Sequence, residues 1–251
     1  MYDDTYAVED GHWWFLNLRK ILAQSVRERI IHPKELAILD AGCGTGRNLV
    51  FYQAYGIVAG VDLSSMGLAY CRKRGIKNLA RGDACCLPFK EESFDIVNCT
   101  DVIYAIAAER GIDLLEETYR ILKPGGHLLL NTAAMDILYS DHDRAVMTQK
   151  RYYKSELVKL VEKTRFELLE VRYWNSVLFL PVVAYRFGRK LLNTKKRDTR
   201  GDLRQPNGLL NWLLYRIMRI DWVIGGALPF GTSLFCIVKK PARTSSEPSR
   251  L

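Results

Sequence analysis

The 251-residue sequence has no uninterrupted apolar run of about 18 residues, so it offers no membrane-spanning helix. It has no C-x-x-C pair, and no His stands beside a Cys at zinc-ligand spacing, so a zinc site lacks its ligands. A P-loop, a Ser-His-Asp nucleophile set and internal repeats are also missing. The acidic start Met1-Tyr2-Asp3-Asp4 is followed by no signal-type apolar core, which predicts a cytoplasmic protein. The six cysteines, at 43, 71, 85, 86, 99 and 236, fit free thiols in a reducing compartment. Cys85 and Cys86 are adjacent, a poor geometry for a structural disulfide.

What is present is ordinary globular composition, with 48% apolar and 26% charged residues, enough for one α/β domain carrying an insertion. The net charge of +9 is concentrated. Between Arg186 and Arg219 stand ten Lys or Arg and two Asp, a local +8 that leaves the rest of the chain nearly neutral. A protein-wide argument for nucleic-acid binding therefore does not hold, and whatever the basic charge does, it does locally.

From residue 36 to about 173, strand and helix signals alternate. Leu36 to Asp40 is a short apolar run entering a glycine turn, as a buried parallel strand does. Gly46 to Tyr55 reads as a helix and Ile57 to Asp62 as a second strand; Ser64 then caps a helix stopped by Gly75. Asn78 to Gly82, Phe94 to Cys99 and Leu128 to Asn131 supply three more strands, with a helix from Ile112 to Leu122 halted at Lys123-Pro124-Gly125-Gly126. Ser155 to Thr164 reads as a helix, and Phe166 to Tyr173 and Thr232 to Lys239 as the last strands. The alternation predicts an α/β, doubly wound, mostly parallel Rossmann-like sheet with helices on both faces. The stretch between the last two strands holds apolar segments at Val177–Leu192 and Leu209–Leu228, too long for a loop, and predicts a helical insertion. The expected organisation is a cap-helix region at 1–35, a binding domain at 36–174 and 232–240, an insertion at 175–231 and a disordered tail at 241–251.

In such a sheet, ligands bind beyond the carboxyl ends of the strands, near the switch in strand order. Gly42, Gly44 and Gly46 in Asp40-Ala41-Gly42-Cys43-Gly44-Thr45-Gly46 allow a sharp turn and close backbone approach to a ligand. The helix that follows aims free amides at the same place. Asp62 ends the second strand, where an acid can accept ribose hydroxyls, and Asp83 ends the third, where it can accept an adenine amine. The spacing is G-x-G-x-G, not the G-x-G-x-x-G of dehydrogenases.

The motifs Ile38 to Gly46, Gly60-Val61-Asp62-Leu63-Ser64, Gly82-Asp83-Ala84 with Leu87-Pro88-Phe89, and Arg120 to Gly126 together resemble class I S-adenosylmethionine-dependent methyltransferases. The resemblance implies S-adenosylmethionine as cofactor. Gly42 and Gly44 would meet its methionine end, with Asp40 and Cys43 also among the cofactor-binding residues; Asp62 would hold its ribose, Leu63, Asp83 and Ala84 its adenine, and Cys99 to Asp101, with Thr100, would lie along its sulfonium. His12-Trp13-Trp14-Phe15 with Arg19 and Lys20, and Tyr139 to Asp143 with Lys150 to Tyr153, resemble a narrower methyltransferase type 11 subgroup with an HWWF cap. Arg19 there reaches the cofactor carboxylate or is an ordinary helix residue. Leu18, Ala105, Gln149 and Tyr152 depart from the subgroup pattern and leave its substrate class open.

Methyl transfer chiefly needs positioning and exclusion of water, with a general base for a hydroxyl acceptor. His142, oriented by Asp143, is one candidate base, and Tyr104 one candidate for the acceptor pocket. The expected activity is methylation, most simply at oxygen, of a small-molecule, saccharide or lipid-linked acceptor, with peripheral membrane contact through 175–231. An RNA methyltransferase and a non-catalytic cofactor-binding partner are the alternatives; no RNA-stacking module or metal-ligand set supports a nucleic-acid or metal-dependent reading.

Overall fold

The computed structural model describes residues 1–29, 35–191, 205–224, 226 and 228–243. Its centre is a seven-stranded sheet in the order β3-β2-β1-β4-β5-β7-β6. The strands are β1 (Leu36–Ala41), β2 (Gly56–Asp62), β3 (Leu79–Arg81), β4 (Phe94–Thr100), β5 (Leu122–Ala133), β6 (Glu167–Trp174) and β7 (Ser233–Lys239). β1 to β5 run parallel, while β7 enters antiparallel between β5 and β6. The chain winds from β1 outward to β3, then returns to β4 on the other side of β1. That reversal opens a crevice at the strand ends, where this architecture takes its ligands.

The strands are apolar on both faces because both faces are covered. Leu39, Val97, Leu128 and Val238 point to one side, where α5 (Gly111–Ile121) and α7 (Lys154–Glu162) contribute Leu114, Leu115, Leu157 and Val161. Their neighbours Ile38, Ile96, Leu129 and Ile237 point to the other. There they meet α3 (Arg47–Tyr52), α4 (Ser65–Lys73) and a long helix from the amino-terminal region. Period-two alternation thus serves two cores at once. As expected from Ser64, its hydroxyl accepts the Gly67 amide of α4 at 3.2 Å.

The amino-terminal region forms two helices, α1 (Tyr2–Val8) and α2 (Trp13–Arg29), broken at residues 9–12. Leu18, Ile21, Leu22 and Val26 of α2 are built into the second core, so α2 is a layer of the domain and not merely a cap. Lys123 to Gly126 ends α5 as expected, but no loop follows: β5 already begins at Leu122. Gly125 takes a φ of +83°, and its amide donates to the Lys240 carbonyl.

A short helix α6 (Asp141–Ala145) follows β5, and the long insertion carries α8 (Phe179–Leu191) and α9 (Gly208–Ile224). Three hydrogen bonds join α9 to α2 or its first residue. The Asn211 side chain accepts from Trp13 N, Asn17 donates to the Tyr215 carbonyl, and Trp222 Nε1 donates to Gln24. All three span the same 198 residues, so the two helices run parallel in fixed register. Asp221, fully buried on α9, accepts the amides of Asn175, Ser176 and Val177 at 2.7 to 2.8 Å and pins the chain as it leaves β6. Of the expected tail, residues 241–243 continue as coil with Arg243 paired to Glu92; residues 244–251 lie outside the described residues.

Because Leu22 is completely buried between α2 and the sheet, Leu22→Ala should cost about 2–5 kcal/mol of unfolding free energy, read by urea denaturation. A loss under about 1 kcal/mol would show that α2 is dispensable to the core.

Candidate functional site

The site grows from the turn between β1 and α3. Gly42 has a φ of +81°, and a Cβ there would stand 2.1 Å from Val102 Cγ2, so only glycine fits against the segment that follows β4. Gly42 N and Cys43 N both donate to the Val61 carbonyl, at 2.7 and 2.9 Å, tying the turn to the end of β2. Gly44, φ +52°, faces open space, with no atom within 4 Å of where its Cβ would be. Its amide donates to Asp62 Oδ2 at 2.8 Å. The other oxygen of Asp62 accepts from Ser64 N at 2.8 Å and from the Tyr2 hydroxyl at 3.3 Å. The end of β2, the glycine turn, the start of α4 and α1 therefore meet on one carboxylate.

Deeper in, Asp40 is buried and accepts from Asn98 Nδ2 at 2.6 Å through Oδ1; Oδ2 is buried without a hydrogen-bond partner among the described residues. Burial pushes its carboxyl up to about 7, and the nearby Asp62 and Glu9 add to the rise. Asn98 also accepts the Tyr52 hydroxyl and donates to Thr100 Oγ1, which accepts from Asn48 as well, so the floor is one hydrogen-bonded network. Glu9, between α1 and α2, accepts from Thr45 Oγ1 at 2.5 Å and from Arg74 at 2.9 Å. Burial holds the Glu9 carboxyl above its ordinary range.

These residues fit an adenosyl sulfonium. The cradle at Gly44 lacks a side chain, and a buried acceptor at Asp40 stands open. Asp40, Asp62 and Glu9 gather negative charge where that group brings an ammonium and a sulfonium.

The remaining expected site residues fall at different distances from this centre. Arg19 is buried on α2 and donates to the Glu9 carbonyl at 2.7 Å; burial, with the neighbouring Arg47 charge, draws its pKa down to about 10. It holds the α1–α2 corner against the turn. Leu63 is 64% exposed at the rim, where a flat base can lie against it. Asp83 accepts from Cys85 N and from Arg110, each at 2.9 Å, interactions that keep its carboxyl below the usual range and leave lone pairs for a further donor. Ala84 packs in the core beside it.

Cys43 and Cys71 bring their sulfurs within 3.7 Å, both buried, and all six cysteines are free thiols. Cys99 turns into the core and burial raises its thiol, so it does not reach the crevice. Thr100 belongs to the Asn98 network. Asp101, the next residue, lies in the left-handed region at φ +61°, and its Oδ1 accepts from Asn131 Nδ2 at 2.9 Å. Burial lifts its carboxyl to about 7. Tyr104 stands nearby, close enough for the charges of Asp101 and Asp143 to add to the rise that burial gives its hydroxyl.

Asp143 differs from the expected role of orienting a histidine. It is 1% exposed, and its oxygens accept from Ser140 N and Oγ, Arg151 Nε and Arg186 Nη1. That set of donors makes it a buried anchor for the segment after β5. The side chain of His142 lies outside the described residues.

A family model described as a methyltransferase domain matches residues 39–130, from inside β1 to inside β5. A tRNA (carboxymethyluridine(34)-5-O)-methyltransferase of Mus musculus is 30% identical over 136 residues, covering 54% of this chain and 20% of its own. A fatty-acid O-methyltransferase of Mycolicibacterium smegmatis is 31% identical over 140 residues, half of each chain. The chain thus spans half or less of the length of these relatives. A solved SAM-dependent methyltransferase from Archaeoglobus fulgidus superposes with a TM-score of 0.56 at 19% identity, over 88% of this chain and 94% of its own. The crevice, the glycine turn and the family match together define a methyltransferase domain. Its fold is that of class I S-adenosylmethionine-dependent methyltransferases, which supports S-adenosylmethionine as the cofactor of this domain.

Two contributors have no local signal in the sequence. Tyr2 and Glu9 reach the turn only because α1 folds back on α4, with Tyr6 stacked on Tyr70 at 4.3 Å. Asp101 has one: it is the acid directly after a buried parallel strand.

The raised pKa of Asp40 gives a pH test. The folded, unliganded protein holds the Asp40 proton more tightly than the unfolded chain, so Asp40 subtracts stability as pH climbs from about 4 to 7. A cationic ligand favours the carboxylate and expels that proton. Affinity for S-adenosylmethionine should therefore rise roughly tenfold per unit between about pH 5.5 and 6.5 and level off above 7, measured by calorimetry. Asp40→Asn should bind more weakly and without the slope; a slope that survives in the variant assigns the proton elsewhere.

Proposed function

We propose that the protein transfers a methyl group to a hydroxyl oxygen of an apolar small-molecule or lipid-linked acceptor. When bound, S-adenosylmethionine supplies an electrophilic methyl carbon on sulfur. The protein's own part is to orient the acceptor, keep water out and receive the hydroxyl proton. The observation that carries this reading is Asp101: a carboxyl near pKa 7, fixed just after β4 by Asn131 and one residue before Val102, which abuts the glycine turn. A carboxylate titrating near neutrality is matched to accept a proton from an alcohol or phenol. Tyr104 sits within its field and can donate to the acceptor. The fatty-acid relative supports an apolar substrate, as do the apolar faces that α8 and α9 expose.

The test is transfer of labelled methyl from the cofactor to panels of hydroxylated and carboxylated apolar acceptors. With a hydroxyl acceptor, Asp101→Asn should lower kcat by roughly 10²- to 10⁴-fold while cofactor affinity changes little. A carboxylate acceptor already carries its nucleophilic charge, so the same variant should lose far less with it. Unchanged kcat with a hydroxyl acceptor would remove Asp101 from the mechanism, and no transfer to either panel would remove the acceptor class. The tRNA relative and the +8 charge of residues 186–219 favour a second reading, an RNA acceptor. Label entering tRNA, with binding that weakens steeply in salt, would select it.

A further inference from the structure

The outward face of α9 does not look like the surface of a water-facing helix. Leu209, Leu213, Arg216, Ile220 and Val223 follow one another at helical spacing along the side turned away from α2, with Trp212 and Arg219 beside them. Leu209 is 78% exposed, Ile220 60% and Val223 79%. The opposite side of the same helix is fully employed: Asn211, Tyr215 and Trp222 bond to α2 or its first residue, Met218 is buried, and Asp221 holds residues 175–177. Asp221 is the sole acid of α9 and is buried, so no negative charge lies on the outer face.

At the carboxyl end of this stripe a cavity of about 290 Å³ opens between α2, β6 and α9. Three of its eight lining residues are cations, Lys20, Arg172 and Arg219, and none is acidic. Lys20 and Arg219 have no ion-pair partner among the described residues. Arg172 meets Glu170 at 3.6 Å through Nη1 and donates through Nη2 to the Trp222 carbonyl, with its guanidinium over the Trp222 ring, while its Nε is buried without a partner among the described residues. Val223 lines the cavity and also ends the apolar stripe, so an anion held there would sit at the edge of exposed hydrocarbon.

We propose that the outer face of α9 docks on a bilayer containing anionic lipids, its apolar stripe entering the interface and the Lys20–Arg172–Arg219 cavity taking a lipid phosphate. Charge and apolarity together select this occupant. A second copy of the chain packed face to face would set Arg216 and Arg219 against their own equivalents. A nucleic-acid backbone would answer the cations but leave Leu209, Leu213, Ile220 and Val223 in water. A bilayer surface answers both. No described helix is long and apolar enough to cross a membrane, so the contact is peripheral. It does not depend on the identity of the methyl acceptor.

The whole protein is to be sedimented with vesicles of phosphatidylcholine alone and of phosphatidylcholine carrying about 30% phosphatidylglycerol, at low and high salt. Expected are preferential binding to the anionic vesicles and a blue shift of tryptophan emission that is lost in Trp212→Phe. The double variant Ile220→Glu with Val223→Glu should bind at least tenfold more weakly. Arg216→Gln and Arg219→Gln should each lower binding to anionic vesicles about fivefold. The altered side chains are exposed, so thermal melting and S-adenosylmethionine affinity, measured alongside, should stay as in the parent. Equal binding to neutral vesicles, or anionic binding unaffected by Ile220→Glu with Val223→Glu, would overturn the proposal. So would a dimer in ultracentrifugation that this variant dissociates, RNA binding that tracks Arg219 without vesicle binding, or saturation by free glycerol phosphate without vesicle binding. Loss of cofactor affinity in the parent would instead strike the methyltransferase reading and leave the docking result standing.

Discussion

Three otherwise independent pieces of the molecule hang on the carboxylate of Asp62. Its two oxygens take the amide of Gly44, the amide of Ser64 and the hydroxyl of Tyr2. A strand ending in an acid thereby fixes the curvature of the glycine turn, the start of α4 and the seat of α1. Ionised acceptors form the stronger hydrogen bonds, and here the donors come from both local and distant sequence. Replacing this side chain would loosen the whole rim of the crevice.

Around that point the site is polarised. Asp40, Glu9 and Asp101 all have carboxyls pushed upward by burial, and Asp40 and Asp101 have no ion-pair partner among the described residues. Such an arrangement costs stability in the unliganded protein and is characteristic of places where charge will arrive or develop. The cations close by, Arg74 and Arg47, are engaged at the outer corner with Glu9 and Asp10.

Much of this was legible in the residues themselves. The turn from Asp40 to Gly46, the strand ends at Asp62 and Asp83 and the cap at Ser64 are local patterns, set by φ angles and hydrogen bonds within a few residues. Their arrangement follows from strand order alone. The parts that escaped are those decided by distant packing. Asp10-Gly11 is a local turn signal at the break between α1 and α2, but nothing short-range shows that Glu9 beside it reaches Thr45 and Arg74. Asp143 and His142 look like an acid-base pair because they are adjacent, but adjacency cannot show that Arg151 and Arg186 occupy the acid. The same holds for Cys99 and Asp101, two residues apart: one packs in the core, and the other, just past β4, is held by Asn131.

The antiparallel entry of β7 has a further consequence. Trp174 closes β6 directly across from Ser233, which opens β7, and the Thr232 amide donates to the Asn175 carbonyl just beyond them. Everything from 175 to 231 is thus an excursion whose two ends are already fastened together by the sheet. Lengthening or exchanging a segment between fixed ends adds little closure entropy, since that cost grows only with the logarithm of its length. The glycine turn and the strand ends can thus stay as they are while this excursion changes in length or sequence, provided α9 keeps its register on α2.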